Sequence, residues 1–164
     1  WCVARLTQQA PTDHAAVFPA LLELAVSQIS VADFQALIDA ELPLVGLFGI
    51  RTSDIGHGQA RMRMHFNPGL IRPGGTIAGP ALMALADVTL YAVVLGMIGK
   101  VELAVTTSLN INFLRKPGQK DILAEGRILK LGQRLAVGEV LLYTEGEAEP
   151  VAHVTGTYSI PPRR

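Results

Sequence analysis

The chain has 164 residues, 49% hydrophobic and 17% charged, which fits one globular domain with a sizeable core and excludes a disordered chain. Fourteen basic residues balance fourteen acidic ones, so no overall field recruits nucleic acid or an acidic membrane, and any polyanion must be met by a local cluster. Cys2 is the only cysteine, which excludes an internal disulfide and a thiolate metal cage and suits a reducing compartment, by default the cytoplasm.

The first dozen residues, opening on Trp1, carry little pattern. Residues 14–41 then alternate apolar and polar groups at helical spacing, with Leu21, Leu22, Leu24 and Ala25 in one stretch and Phe34, Leu37, Ile38 and Leu42 in the next. Two short helices are predicted, the second capped by Ser30 or Asp33 and stopped by Pro43. Residues 1–43 read as an N-terminal helical extension serving packing or dimer support, and residues 44–164 as the main domain. From Leu44 the period changes to two. Ala60, Met62, Met64 and Phe66 alternate with Arg61, Arg63 and His65, as in a strand with one buried face. Asn67-Pro68-Gly69 breaks the pattern, and Arg72-Pro73-Gly74-Gly75 extends the loop.

Gly79-Pro80 opens a helix that runs to about Met97, since proline in the first turn gives up a donor that would be unpaired anyway. The apolar run is about long enough to cross a bilayer, but Asp87 lies near its middle, Arg72 and Lys100 flank it evenly, and amphipathic strands follow. A helix buried on all sides by protein fits better, and no membrane is expected. Strand signals follow over Leu103–Leu114, Asp121–Lys130, Leu135–Thr144 and Val151–Ile160, separated by Pro117-Gly118, Gly132-Gln133 and Glu145-Gly146. Such short connections favour antiparallel neighbours. The predicted fold is α+β, an antiparallel curved sheet wrapped around one long central helix. Its open edges and uncovered helix flank call for a homodimer or a dimer of dimers.

Asp87 is the only charged residue between Thr76 and Gly99. A carboxylate there loses hydration with no basic partner one helical turn away, so a group outside the helix must compensate it. It is the first place to look for function, against the plainer reading of a structural acid satisfied by backbone or by Arg72. The four histidines, His14, His57, His65 and His153, show no paired ligand spacing, so no metal is expected. No phosphate loop or Gly-x-Ser-x-Gly elbow is present, so no cofactor or serine triad is indicated.

The order of elements, with Gly75-Thr76-Ile77-Ala78-Gly79-Pro80 followed by Leu85-Ala86-Asp87, resembles the hotdog-fold acyl-CoA thioesterases of the phenylacetic-acid-type (PaaI-like) branch. The stretch from Val105 to Arg115 is similar to the family's strand after the helix, and Leu131-Gly132-Gln133-Arg134 with Val151 to Thr157 is similar to its closing hairpin. The family carries His-Gly-Gly at the helix start and an acid nine residues beyond the His; here that spacing runs from Ala78 to Asp87, so the His is lost. The usual Asn or Gln six residues before the His is replaced by Arg72.

The resemblance implies thioester hydrolysis, with Asp87 as general base or nucleophile, the Gly79 amide as oxyanion donor, and Thr106 orienting water or carboxylate. At 1.5 Å per residue Gly79 and Asp87 lie about 12 Å apart along one helix, so a working site needs Asp87 of one subunit to face Gly79 of another. Arg72 is expected to bind the thioester carbonyl, grip a carboxylate or phosphate of the substrate, or neutralise Asp87. Ala78 borders the same position, and Arg115, Lys116, Lys130 and Arg134 are available for the phosphates of an acyl-CoA. The alternative function is a non-catalytic acyl-CoA-binding hotdog protein; a dehydratase is less favoured for want of a histidine immediately before the helix, where Ala78 stands.

Overall fold

The computed structural model describes residues 26–162; the helix predicted around Leu21–Ala25, and His14, lie outside the described residues. Helix α1 (Val31–Glu41) begins where predicted, and the two alternative caps act together. Ser30 Oγ accepts from the Asp33 amide at 3.0 Å and donates to Asp33 Oδ2 at 2.6 Å. The period-two reading from Leu44 needs correction, because Leu44–Phe48 forms a short helix, α2. Pro43 enters it with helical angles (φ −53°, ψ −26°) and Gly49 ends it at φ +63°, so the backbone at both ends overrides the apolar run between them.

Strands β1 (Ile50–Gly56) and β2 (Gln59–Met64) form a hairpin, and a 3₁₀ turn over Pro68–Leu70 follows, capped by Asn67. The stretch read as a plain loop contains a two-rung ladder, β3 (Ile71–Arg72) against β4 (Thr76–Ile77), turned through Gly74 and Gly75 at positive φ. Then come α3 (Gly79–Ile98), β5 (Val105–Phe113), β6 (Ile122–Leu131), β7 (Leu135–Thr144) and β8 (Ala152–Ser159). The six longer strands make one antiparallel sheet in the order β1-β2-β6-β7-β8-β5.

Helix α3 touches all six strands, so the sheet curls around it as the sequence implied. With a mean hydropathy of 2.1 this helix is long and apolar enough to cross a membrane, yet 67% of its apolar stretch is buried inside the protein, as in a core helix. Close nesting depends on small residues on the inner face of the sheet. Gly138 and Gly156 face each other in register, and Leu90 of α3 fills the space between them. A Cβ at Gly138 would come within 2.8 Å of Leu90 Cδ2 and 2.9 Å of the Arg127 carbonyl oxygen; one at Gly156 would come within 2.5 Å of Leu90 Cδ1.

The sheet leaves one stripe of α3 uncovered: Gly79, Pro80, Met83, Ala84, Asp87 and Tyr91, which recur on one face of the helix, are the positions not fully buried over its first three and a half turns. The sheet edges differ too. At the β1 edge, Gln35 of α1 accepts from the Thr52 amide at 2.8 Å and Arg51 pairs with Asp39 at 3.1 Å. The β5 edge has no neighbour among the described residues and exposes Val105, Phe113 and the adjacent Leu114.

Because backbone and a confined Leu90 both oppose a new methyl, Gly138→Ala should lower unfolding free energy by about 1–3 kcal/mol. Gly46→Ala, with nothing within 4 Å, should be neutral or stabilising by up to about 1 kcal/mol. Urea unfolding of both variants checks the pair.

Candidate active site

The first turn of α3 is short of donors. Ala78, the N-cap, has no side chain that could bond the free amides (φ −69°, ψ 140°). Pro80 has no N–H, and the amides of Ala81 and Leu82 both point to the Ala78 carbonyl, at 3.1 and 3.4 Å. Gly79 is left as the one amide of that turn with no acceptor among the described residues. It sits at the positive end of a twenty-residue helix. The space beside its α-carbon is taken by Phe113, whose Cζ would lie 3.0 Å from a Cβ built there. A side chain at position 79 would press on this ring, and that close approach is a reason for the glycine that the sequence did not reveal.

Gly79 opens on a cleft of about 590 Å³ that Arg72, Ala78, Arg115 and Lys116 also line. The structure therefore gathers five of the nine site residues put forward from the sequence in one place. Arg115 is partly engaged, donating to Glu149 Oε2 at 2.8 Å and to the Pro150 carbonyl at 3.3 Å. Arg72 and Lys116 have no ion-pair partner among the described residues. Among the described residues the lining carries three cations and no acid.

Asp87 and Thr106 occupy a second cleft, of about 430 Å³. Thr106 Oγ1 donates to Asp87 Oδ1 at 2.6 Å. Tyr158, which sequence reasoning did not single out, brings its hydroxyl within 2.8 Å of the same Oδ1 and within 2.8 Å of the Asp87 carbonyl oxygen. Thr106 and Tyr158 are register partners on β5 and β8, and a bulge between Thr106 and Ser108 re-aims the strand beside the site. Two hydroxyls thus converge on one carboxylate oxygen, while Oδ2 has no protein donor among the described residues. The compensating groups sought for this acid are hydroxyls from the sheet, not a cation. Burial, then the Asp87 charge, push the Tyr158 phenol far above its ordinary range, so it stays a donor. Its ring stacks on Tyr91 at 6.2 Å, and Tyr91 meets the buried Phe34 of α1 at 5.7 Å.

Other expectations find different places. Arg72 lines the Gly79 cleft and not that of Asp87, so the neutralising arrangement is not present within the chain. Arg134 lies apart from Arg115 and Lys116, in a cleft with Met97, Ile98 and Ile160. Asn67 spends its side-chain oxygen on the Gly69 amide, at 2.9 Å. His65 and His153 pair with Asp121 at 2.9 Å and Glu139 at 3.0 Å. Among the described residues no three His, Cys, Asp or Glu side chains cluster to hold a metal.

Residues 74–151 match the model of the thioesterase superfamily. A provisionally named thioesterase from a Silicibacter species shares 41% identity, with 83% of this chain and 94% of that one aligned, and its solved structure superposes with a TM-score of 0.75. The chain belongs to the thioesterase superfamily. It is a hotdog-fold thioester hydrolase of the PaaI-like branch. The phenylacetic acid degradation protein PaaI of Thermus thermophilus, solved as an Asn-to-Asp mutant, is 25% identical over 73% of this chain and 99% of its own, with a TM-score of 0.65. A provisionally named esterase of Saccharolobus solfataricus is 29% identical over 133 residues, 80% of this chain and 86% of its own.

The buried phenol gives this thioesterase a pH signature. An unfolded tyrosine loses its proton near pH 10 while folded Tyr158 keeps it, so the native state binds more protons above that pH and stability falls as pH rises. Thermal melts from pH 8 to 11.5 should show wild type losing stability above about pH 10 by up to about 1.4 kcal/mol per pH unit more than Tyr158→Phe.

Proposed function

We propose that this thioesterase hydrolyses acyl-CoA or a closely related acyl thioester at a site shared by two protomers of a homodimer. The observation that carries the reading is the position of Asp87, held through Oδ1 on the stripe of α3 that the sheet leaves uncovered, with no donor to Oδ2 among the described residues. On that same helix the unpaired Gly79 amide is about 12 Å away, too far for both groups to reach one carbonyl. An antiparallel pairing of two such stripes about a two-fold axis brings the Asp87 of each protomer toward the Gly79 of the other. It also covers the apolar stripe and the adjoining β5 edge, whose exposed Val105 and Phe113 otherwise face water.

In this arrangement the thioester oxygen accepts from Gly79, which stabilises the negative charge that develops there. Asp87 Oδ2 either takes a proton from the water that attacks the carbonyl carbon or attacks that carbon itself. In the first route the carbon–sulfur bond breaks as the tetrahedral intermediate collapses, and the thiolate recovers the proton from Asp87. In the second, the carbon–sulfur bond breaks as the thiolate leaves, water then opens the resulting anhydride to the free acid and the Asp87 carboxylate, and the proton released by that water goes to the thiolate. Thr106 and Tyr158 orient the carboxylate in both. The phosphates of coenzyme A fit the cations of the Gly79 cleft, where Arg72 and Lys116 have no ion-pair partner among the described residues.

A panel of acyl-CoAs, assayed by thiol release, should show turnover by wild type and a loss in kcat of about 10²–10⁴ for Asp87→Asn with folding intact. Saturable acyl-CoA binding with no thiol released would favour the binding-module alternative. Label found in Asp87 after a single turnover in ¹⁸O-water would establish direct attack with the anhydride opened at the aspartyl carbon, since the general-base route places the label only in the product acid.

A further inference from the structure

The Asp87 cleft extends beyond the carboxylate and is walled on one side by α1. Leu37 and Leu42 stand opposite Val88 and Tyr91 of α3, with Leu103 at the rim. Helix α1 is fixed there through Phe34, which is fully buried and meets Tyr91, which in turn stacks on the Tyr158 that holds Asp87. This wall belongs to the segment that the sequence assigned to packing or dimer support. At about 430 Å³ the cleft falls within the roughly 300–1,000 Å³ usual for small-molecule sites.

The two clefts carry opposite charge. Among the described residues, that of Gly79 is lined by Arg72, Arg115 and Lys116 with no acid, and that of Asp87 by Asp87, Glu41 and Glu102 with no cation. Glu102 is paired with Lys100 at 3.1 Å. Glu41 has no partner among the described residues, and it ends α1, where the helix dipole disfavours an acid. A thioester held at the junction has two arms. The polyanionic coenzyme arm is drawn to the cationic cleft and repelled from the acidic one, which leaves the acyl arm for the α1 side.

We propose that the cleft between α1 and α3 is the acyl subsite, that it accepts uncharged apolar acyl groups, that Leu42 limits their length, and that Glu41 excludes acyl groups ending in a carboxylate. The inference rests on the shared-site reading above and adds to it the substrate class and the role of α1. Neither Leu42 nor Glu41 approaches the reacting atoms in that reading, so both act on selection and not on the chemical step.

The test is kcat/KM over a series of saturated acyl-CoAs from acetyl to dodecanoyl, together with glutaryl-CoA, for wild type, Leu42→Trp, Leu103→Trp, Glu41→Lys and Asp87→Asn. Leu42→Trp should lower values for the longer acyl groups at least ~10-fold while leaving acetyl-CoA within about twofold, and rim substitution Leu103→Trp should act in the same sense if Leu42→Trp fails to fold. Glu41→Lys should raise glutaryl-CoA relative to hexanoyl-CoA by ~5-fold or more. If wild type is active and Asp87→Asn is not, yet these substitutions change every substrate alike or none, the acyl subsite is wrong and the shared site stands. If wild type is inert across the series, the proposed function falls and the subsite with it.

Discussion

A twenty-residue helix that is apolar on every side must be covered on every side, and one sheet curling around it leaves a strip open. The arrangement of this molecule follows from that shortfall. The inner face of the sheet is cut down to glycine and alanine where α3 comes closest, so that Leu90 is fully buried between Gly138 and Gly156, a burial worth about 1.5–3 kcal/mol. What the sheet does not reach is the stripe through Pro80, Met83, Asp87 and Tyr91. A carboxylate on that stripe is both costly and accessible, and the next protein surface to cover it decides its environment.

Both ends of the chemistry are prepared by what is left unpaired. At the start of α3, an alanine cap, a proline and two amides that share one carbonyl reduce four possible donors to the Gly79 N–H. A little over two turns later, Thr106 and Tyr158 hold one oxygen of Asp87, and the other has no donor among the described residues. Neither half can complete the other within one chain, because a helix is rigid and its rise is fixed. The charges follow the same division, cations around the amide and acids around the carboxylate.

The alternation in β2, β7 and β8 and the proline-glycine punctuation were enough to read the strands, because a half-buried strand writes its two faces into the sequence with period two; all four predicted after the helix occur with ends shifted by no more than two residues. Residues 44–48 misled because their conformation is set by Pro43 and Gly49 and not by the apolar run between them. Asp87 announced itself as an isolated charge. Its partner Tyr158 was legible in principle: it continues the inward phase of Val154 and Gly156, and a buried tyrosine needs a partner for its hydroxyl. Phe113 over Gly79 and α1 beside Asp87 were not legible, since each contact joins segments more than thirty residues apart with no shared pattern. Arg134 looked equivalent to Arg115 in sequence because both flank strands, but strand direction sends them to different ends of the sheet.

The division of labour between protomers is tested most directly by mixing two variants that are each inactive: Asp87→Asn, which keeps the amide, and Gly79→Pro, which keeps the carboxylate but lacks the donor. Folding of each is first verified by circular dichroism, and the two are co-expressed with different tags so that heterodimers can be isolated. A mixed dimer has one site with both wild-type groups and one with neither, so an equal, randomly assorted population should recover about a quarter of wild-type activity, and purified heterodimer about half. Heterodimer as inactive as its parents would contradict the shared site, and so would a chain that remains monomeric while hydrolysing thioesters.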